Sequence, residues 1–437
     1  MTYAEAVARL LALRGGEYAG MRPGLERIEA LLDALGRPER GYTLAQVGGT
    51  NGKGSISAML AAILRAEGRR VGLYTSPHLV SFRERIRVDG EAIPEDAVVD
   101  GVEALGTSIA RVDATVFEAT TALGLDHFAR ERVDVAVLEV GLGGRVDSTT
   151  VGSPAVAVLG PIDFDHREFL GDTLTAIATE KAAILRSGTA LSAIQPPEAA
   201  AVVAAQAVRA GVPLLLEGRD LRVTVRARSL AGQRIDCAGP GWRLDDLSIA
   251  LLGAYQPGNA LLAVTAARVL GAGEPAIRTG LARARWPGRF ELRRRAEGWL
   301  VLDGAHNPAG ARALAASLEV YFGDEPVTLV FGVLRDKDAA GILQPLLPRV
   351  RRVILTASAS PRAAAPQDLR ALVPPSCPAV VAPSIGEALA LAEVAPAARV
   401  VCVAGSLALV GAALAHLDGP DKPCPVENTA DSIGPRS

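Results

Sequence analysis

The chain has 437 residues, 49% hydrophobic and 22% charged, with a net charge of −2 at pH 7. That length exceeds what a single hydrophobic core serves, so two domains are expected. The near-neutral charge argues against a dedicated nucleic-acid binder. Cys237, Cys377, Cys402 and Cys424 stand far apart with no CxxC pair, which speaks against a zinc site or disulfide framework and fits a reducing cytoplasm.

The N-terminal MTYAEAVARLLALRGG carries Glu5 where a leader would be basic, and Arg9 interrupts its apolar run. It reads as an amphipathic helix. No apolar stretch is long enough to span a bilayer. A strand is expected over Thr43–Val47, followed by a glycine-rich loop. Ile56, Met59, Leu60, Ile63 and Leu64 recur at helical spacing, so Ser55–Ala66 is a helix that Gly68 ends. Strands follow at Val71–Tyr74, Val133–Val140 and Ala155–Leu159, and a helix over Thr173–Leu185. Strands alternating with helices imply a parallel sheet covered on both faces.

Over 221–237 the pattern changes: Val223, Val225 and Ala227 alternate with polar residues before the turn Ala231-Gly232-Gln233. This predicts a hairpin in a small antiparallel sheet. A helix is expected over Ala254–Leu270. Trp286-Pro287-Gly288-Arg289-Phe290 breaks the pattern and reads as a linker. A second α/β alternation follows: strand Leu300–Leu302, helix Ala309–Tyr321, strands Val327–Phe331, Val353–Thr356 and Val380–Ala382, helix Ile385–Val394 and strand Val400–Val403. The expected division is a first domain over 1–285, a linker over 286–296, a second domain over 297–418 and a disordered tail over 419–437.

The loop Gly49-Thr50-Asn51-Gly52-Lys53-Gly54-Ser55 sits between a strand and a helix N-terminus. There, backbone N–H groups and the helix dipole favour an anion. Lys53 adds a full charge for β- and γ-phosphates, and Ser55 a hydroxyl for phosphate or metal. The match to the general phosphate-loop pattern is imperfect. Gly54 separates Lys53 from Ser55, and Val47 stands where the pattern has glycine. An ordinary glycine-rich turn is the alternative.

The departure is itself informative. GTNGKGS is followed in order by YTSPHL (Tyr74–Leu79), ERIRV (Glu84–Val88), TVFEATTAL (Thr115–Leu123) and LEVGLGGRVDSTT (Leu138–Thr150). Then come DFDHREFLGDTLTAIATEKAAIL (Asp163–Leu185), GAYQPGNA (Gly253–Ala260), WPGRFE (Trp286–Glu291), LDGAHNPAG (Leu302–Gly310), FGVLRDKD (Phe331–Asp338) and AGSL (Ala404–Leu407). Together these segments resemble the folylpolyglutamate synthase and dihydrofolate synthase family of the Mur ligase superfamily, along nearly the whole chain except the tail. The fold implied is a Mur-ligase-like P-loop ATPase domain with a small antiparallel sheet, plus a smaller Rossmann-like C-terminal α/β domain.

The resemblance implies an ATP-dependent ligase that activates a carboxylate as an acyl phosphate, which the amine of glutamate then attacks. ATP and Mg are the implied cofactors. An anionic carboxylate approaching an anionic phosphate needs fixed positive charge and metal to offset repulsion. Glu139 closes a buried strand at the edge where open α/β sheets bind ligands; its alternative is a carboxylate capping the turn. By resemblance Ser76, Glu139 and His166 hold Mg. On chemistry alone His166 would be a general base or a hydrogen-bonded loop residue. Lys181 alone would be a solvated helix lysine; by resemblance it is catalytic and carbamylated, although Ala183 replaces the family's usual glycine. Asn259, Arg289 and Asp303 match ATP contacts. His306, beside Asn307, is a catalytic candidate, with a helix N-cap as the plainer reading of this turn. Thr115, Val116, Phe117 and Glu118, with Val146, Asp147 and Ser148, match segments that bind the pteroate part. Tyr255 stands where many relatives have histidine, which weakens a direct role there.

The expected activity is addition of L-glutamate both to dihydropteroate and to folate polyglutamate tails; polyglutamylation alone is the alternative. Small-molecule substrates are the expected partners, with no nucleic acid or membrane, and the family implies a monomer. A cell-wall Mur ligase is disfavoured by Gly54 and SPHL, and a P-loop switch by the second α/β domain.

Overall fold

A computed structural model of the chain describes residues 1–16, 22–394, 399–420 and 423–426. The first domain is built on an eight-stranded sheet. Its order is Glu91–Ala92, Ile86–Val88, Val71–Tyr74, Val135–Glu139, Thr43–Gly48, Val156–Leu159, Thr189–Ser192 and Leu214–Leu216. The pairings from Val71–Tyr74 through to Leu214–Leu216 are parallel, and the two strands at the other edge are antiparallel. The central strands are buried along their length, as expected of a sheet covered on both faces. Helix Lys53–Ala66 packs on one face with Gln256–Val269 and Glu274–Arg283, and helices Glu95–Val112 and Val116–Arg130 cover the other.

The hairpin expected over 221–237 is the first part of a three-stranded antiparallel meander, Arg222–Ser229, Gly232–Gly239 and Trp242–Ile249. The third strand reads poorly because Arg243, Asp245 and Asp246 stud its exposed positions. Its buried Leu244, Leu247 and Ile249 join the first domain's core.

The second domain is a six-stranded sheet in the order Glu291–Arg294, Trp299–Leu302, Val400–Ala404, Val327–Phe331, Val350–Leu355 and Ala379–Val381. Only the first pairing is antiparallel. The linker expected over 286–296 is therefore interrupted by an edge strand, held because Leu292 packs on the second core. The tail expected from Gly419 is also partly ordered. The Cys424 N–H donates to Glu84 at 3.2 Å, Arg87 donates to the Cys424 carbonyl at 2.6 Å, and the Arg285 N–H donates to Val426 at 2.7 Å. Residues 421–422 and 427–437 of that expected tail lie outside the described residues.

Candidate active site

The loop strand Thr43–Gly48 lies between Val135–Glu139 and Val156–Leu159, with Val47 opposite Glu139. The C-terminal ends of three neighbouring strands thus carry the phosphate loop, Glu139 and the Gly160–His166 turn, the position where open α/β sheets bind ligands. They open into a cleft of about 1370 Å³ between the two domains.

Thr50 braces the loop: its hydroxyl donates to the Asp163 carbonyl at 3.0 Å and accepts from the Asp163 N–H at 3.1 Å. The Thr50 and Asn51 N–H groups are engaged by Pro161. Helix Lys53–Ala66 then begins with Gly52 in the left-handed region (φ 84°) and no side-chain cap. Its first-turn amides face the cleft with the dipole behind them, which suits phosphate oxygens. Lys53 and Lys181 both donate to the Gly49 carbonyl, at 3.2 and 3.1 Å. Burial lowers the pKa of both amines, that of Lys181 to about 7, with the charge of Lys53 adding to the effect on Lys181. Two cations held this close favour an anion between them.

Gly54, the departure from the usual loop, has a steric cause. A Cβ there would lie 2.4 Å from the Trp286 indole nitrogen, so the interdomain segment rests directly on the phosphate loop. The Ser55 hydroxyl accepts from Gln256 at 3.1 Å, and Asn259 donates to Gln256 at 3.0 Å. Asn259 Oδ1 lies against Gly52, where a side chain would come within 2.5 Å.

Glu139 is buried and accepts the Ser76 N–H at 3.2 Å. Burial raises its carboxyl, and Lys53 and Arg289 pull the other way. His166 also lines the cleft; burial lowers its imidazole to about 4, leaving it neutral near pH 7. A buried carboxylate, a hydroxyl and a neutral imidazole on one cleft suit a divalent cation that takes its other oxygens from phosphate and water. Among the described residues, no group of three or more His, Cys, Asp or Glu side chains would hold a metal alone.

Asp165 and Lys337, which the sequence reading did not single out within DFDHREF and FGVLRDKD, organise this wall. Lys337 of the second domain pairs with Asp165 at 2.6 Å and lies 3.4 Å from His166. Asn307 donates to Asp165 at 3.0 Å, and His306 Nε2 lies 3.4 Å away. Burial would raise Asp165, but the hydrogen bond and charge of His306, with His166 and Lys337, outweigh it and hold the carboxyl well below the usual range. His306 Nδ1 lies 2.8 Å from the Gly304 carbonyl. Asn307 also caps helix Pro308–Phe322 through the Gly310 N–H at 2.8 Å.

Arg289 is not a loose linker residue. Phe290 beside it is buried in the second core in a left-handed conformation (φ 48°), its N–H donating to Asp303 at 2.9 Å. Asp303 also accepts from the Ala305 N–H at 2.8 Å and from the Tyr255 hydroxyl at 3.0 Å. Tyr255 thus orients a cleft carboxylate.

Thr115 and Glu118 form a capping box at the start of helix Val116–Arg130, and Glu118 pairs with buried Arg27 at 2.9 Å. Phe117 lies edge-on to Tyr74 and beneath Gly141, where a Cβ would come within 2.5 Å. Thr115, Phe117 and Glu118 line the cleft with Val146, Asp147 and Ser148. Val116, the first helical residue, is buried, and its neighbours Thr115, Phe117 and Glu118 line the cleft without it. Asp147 accepts from the Leu142 N–H and from the Thr149 N–H and hydroxyl, and so fixes the glycine-rich turn.

A P-loop domain covered by a second α/β domain whose side chains reach the loop defines the Mur class of ATP-dependent carboxylate–amine ligases. The Mur ligase middle domain matches residues 47–267, and the Mur ligase glutamate ligase domain matches residues 288–407. The chain is 40% identical to a folylpolyglutamate synthase of Lacticaseibacillus casei, over 75% of this chain and 80% of that one. It is 38% identical to a dihydrofolate synthase/folylpolyglutamate synthase of Mycobacterium tuberculosis, over 78% and 75%. A crystal structure of Mycobacterium tuberculosis folylpolyglutamate synthase complexed with ADP and AMPPCP superimposes with a TM-score of 0.88 at 34% identity, covering 97% of this chain and all of the other. An Escherichia coli FolC in complex with DHPP and ADP gives 0.87 at 31% identity, covering 96% and 98%. The chain belongs to the folylpolyglutamate synthase/dihydrofolate synthase family of Mur ligases.

Proposed function

We propose that the protein adds L-glutamate to dihydropteroate, giving dihydrofolate, and extends folate tails with further glutamates, each through an acyl phosphate. One observation carries this: the uncapped first turn of Lys53–Ala66, Lys53, Lys181 and Arg289 bring positive charge to a cleft that Phe117 and Ser148 also line. We assign residues 1–285 to ATP and folate binding, 286–296 to the connection and 297–418 to the glutamate ligase domain.

Mg held by Ser76, Glu139 and His166 would offset the charge of the γ-phosphate as a carboxylate approaches it. The chain's own residues do the rest. Lys53 and the loop amides hold the β- and γ-phosphates. Asn259 and Asp303 fix the nucleoside, and Arg289 faces the phosphates as the domains close. The flat face of Phe117 supports the pteridine ring, with Ser148 beside it. The carboxylate attacks the γ-phosphorus and ADP leaves. The amine of glutamate then attacks the acyl carbon, phosphate leaves and the amine loses a proton. His306, which lines the cleft 3.4 Å from Asp165, is assigned to take that proton. Closure excludes water that would hydrolyse the acyl phosphate.

The lowered Lys181 amine supports carbamylation. Its neutral form attacks carbon dioxide, forms an N–C bond and loses a proton. The resulting carbamate anion would lie beside Lys53. The Lacticaseibacillus casei relative is named for polyglutamylation alone, and that supports the narrower reading. Assaying purified enzyme with dihydropteroate, glutamate and Mg-ATP separates the two: absence of dihydrofolate removes the first activity and leaves the second. No described helix is long and apolar enough to cross a membrane. We infer a cytoplasmic monomer, in keeping with the four unpaired cysteines.

A further inference from the structure

The turn Ser76-Pro77-His78-Leu79 lines the cleft, and its histidine has no part in the mechanism above. Two residues of the short helix Phe82–Arg85 hold the imidazole. Arg85 Nε donates to His78 Nδ1 at 2.8 Å. The Phe82 ring stands edge-on to it, with centroids 6.3 Å apart. Arg85 is fully buried, and its guanidinium lies over the same phenyl ring, 5.7 Å from the centroid. It has little room to turn away.

A guanidinium donates and never accepts. Nδ1 therefore presents its lone pair to Arg85, and the ring hydrogen sits on Nε2. Nε2, across the ring, has no hydrogen-bond partner among the described residues and is not sealed from solvent. The same turn is tied to Glu139, which accepts the Ser76 N–H at 3.2 Å. A donor in one fixed tautomer, without net charge, thus stands in the cleft two residues from Ser76. Such a donor gains strength as negative charge develops on an oxygen beside it.

Resting on the acyl phosphate reading above, we propose that His78 is a catalytic residue whose Nε2–H stabilises the acyl oxygen during amide formation. When the glutamate amine attacks, the N–C bond forms and the carbonyl π pair moves onto oxygen, which accepts from Nε2–H. The pair then returns, C=O re-forms and the C–O bond to phosphate breaks. His78 keeps its hydrogen throughout, and Arg85 keeps that hydrogen on Nε2.

Quench-flow of the full-length protein tests this by following ADP and product separately. The substrates are Mg-ATP, glutamate and whichever of dihydropteroate or a folate the wild type glutamylates. In His78→Phe, ADP should form on the enzyme within about twofold of the wild-type rate, while glutamylated product forms about 100-fold more slowly. Glutamine can accept from Arg85 through Oε1 and donate through Nε2, so His78→Gln should recover most of the loss. Nitrogen-15 NMR of histidine-labelled wild type, with the His78 signals identified by their absence in His78→Gln, should show Nε2 protonated and Nδ1 bare. Unchanged product formation in His78→Phe overturns the proposal, as does the opposite tautomer. Equal slowing of ADP and product also overturns it, because the residue would then only shape the Ser76 turn. Failure of wild type to form any glutamylated product would instead overturn the reading beneath it.

Discussion

The side-chain amides of Asn51 and Asn307 exchange two hydrogen bonds, 3.3 and 3.1 Å long, across the domain boundary. Asn51 is in the phosphate loop. Asn307 caps the first helix of the second domain and also donates to Asp165. One reciprocal pair thus couples closure of the domains to the shape of the loop.

Asn51→Ala and Asn307→Ala should therefore be non-additive. The Asn307 variant loses a helix cap, about 1 kcal/mol. A double-mutant cycle on thermal unfolding should show a coupling of about 0.5–1.5 kcal/mol. Additive effects would mean the pair is incidental.

Gly54→Ala places a methyl where the Trp286 indole lies. The ring cannot yield as a flexible chain would, so the linker must move off the loop. We expect the tryptophan emission to shift and kcat to fall at least tenfold, at an overpacking cost of about 1–3 kcal/mol. Adding Trp286→Leu should restore part of the activity. Unchanged emission and kcat in the single variant would refute the steric account.

Lys53→Ala and Glu139→Ala should each abolish turnover while the protein stays folded by circular dichroism. The first removes the cation at the phosphate loop. The second removes a buried carboxylate that faces Lys53 and Arg289. Near-wild-type activity in either would overturn its assignment.

Lys181 gives a pH signature. Its amine falls from 10.5 to about 7 on folding, so between those values the unfolded chain binds more protons and stability rises with pH. In buffer free of carbon dioxide, the stability of wild type relative to Lys181→Met should climb across that window with a slope approaching about 1.4 kcal/mol per pH unit. A flat difference would contradict the buried, depressed amine. Carbon-labelled bicarbonate should give a carbamate NMR signal in wild type and not in the variant.

Much of this site is legible in sequence where a residue's role is set by its local element. The loop and Glu139 at a strand end follow from short patterns; Lys181 does not, because on spacing alone it is a solvated helix lysine, whereas it is buried and donates to the Gly49 carbonyl of the loop. The roles of Gly54, Tyr255 and Asn307 do not, because their partners Trp286, Asp303 and Asn51 are distant in sequence and meet only when the domains close. Lys337 is illegible for the same reason: its partner Asp165 lies in the other domain. Val116 lies in the matched segment yet is buried, because a motif marks a stretch of chain whereas successive side chains of a helix point to different faces. The third meander strand, Trp242–Ile249, was missed because its polar face reads as loop.

The most direct test of the central claim is ADP release by the purified protein with dihydropteroate and Mg-ATP, with and without L-glutamate. The account predicts release that depends strictly on glutamate and matches the dihydrofolate formed. ADP release that continues undiminished without glutamate, or no glutamylated product from either dihydropteroate or a folate, would contradict it.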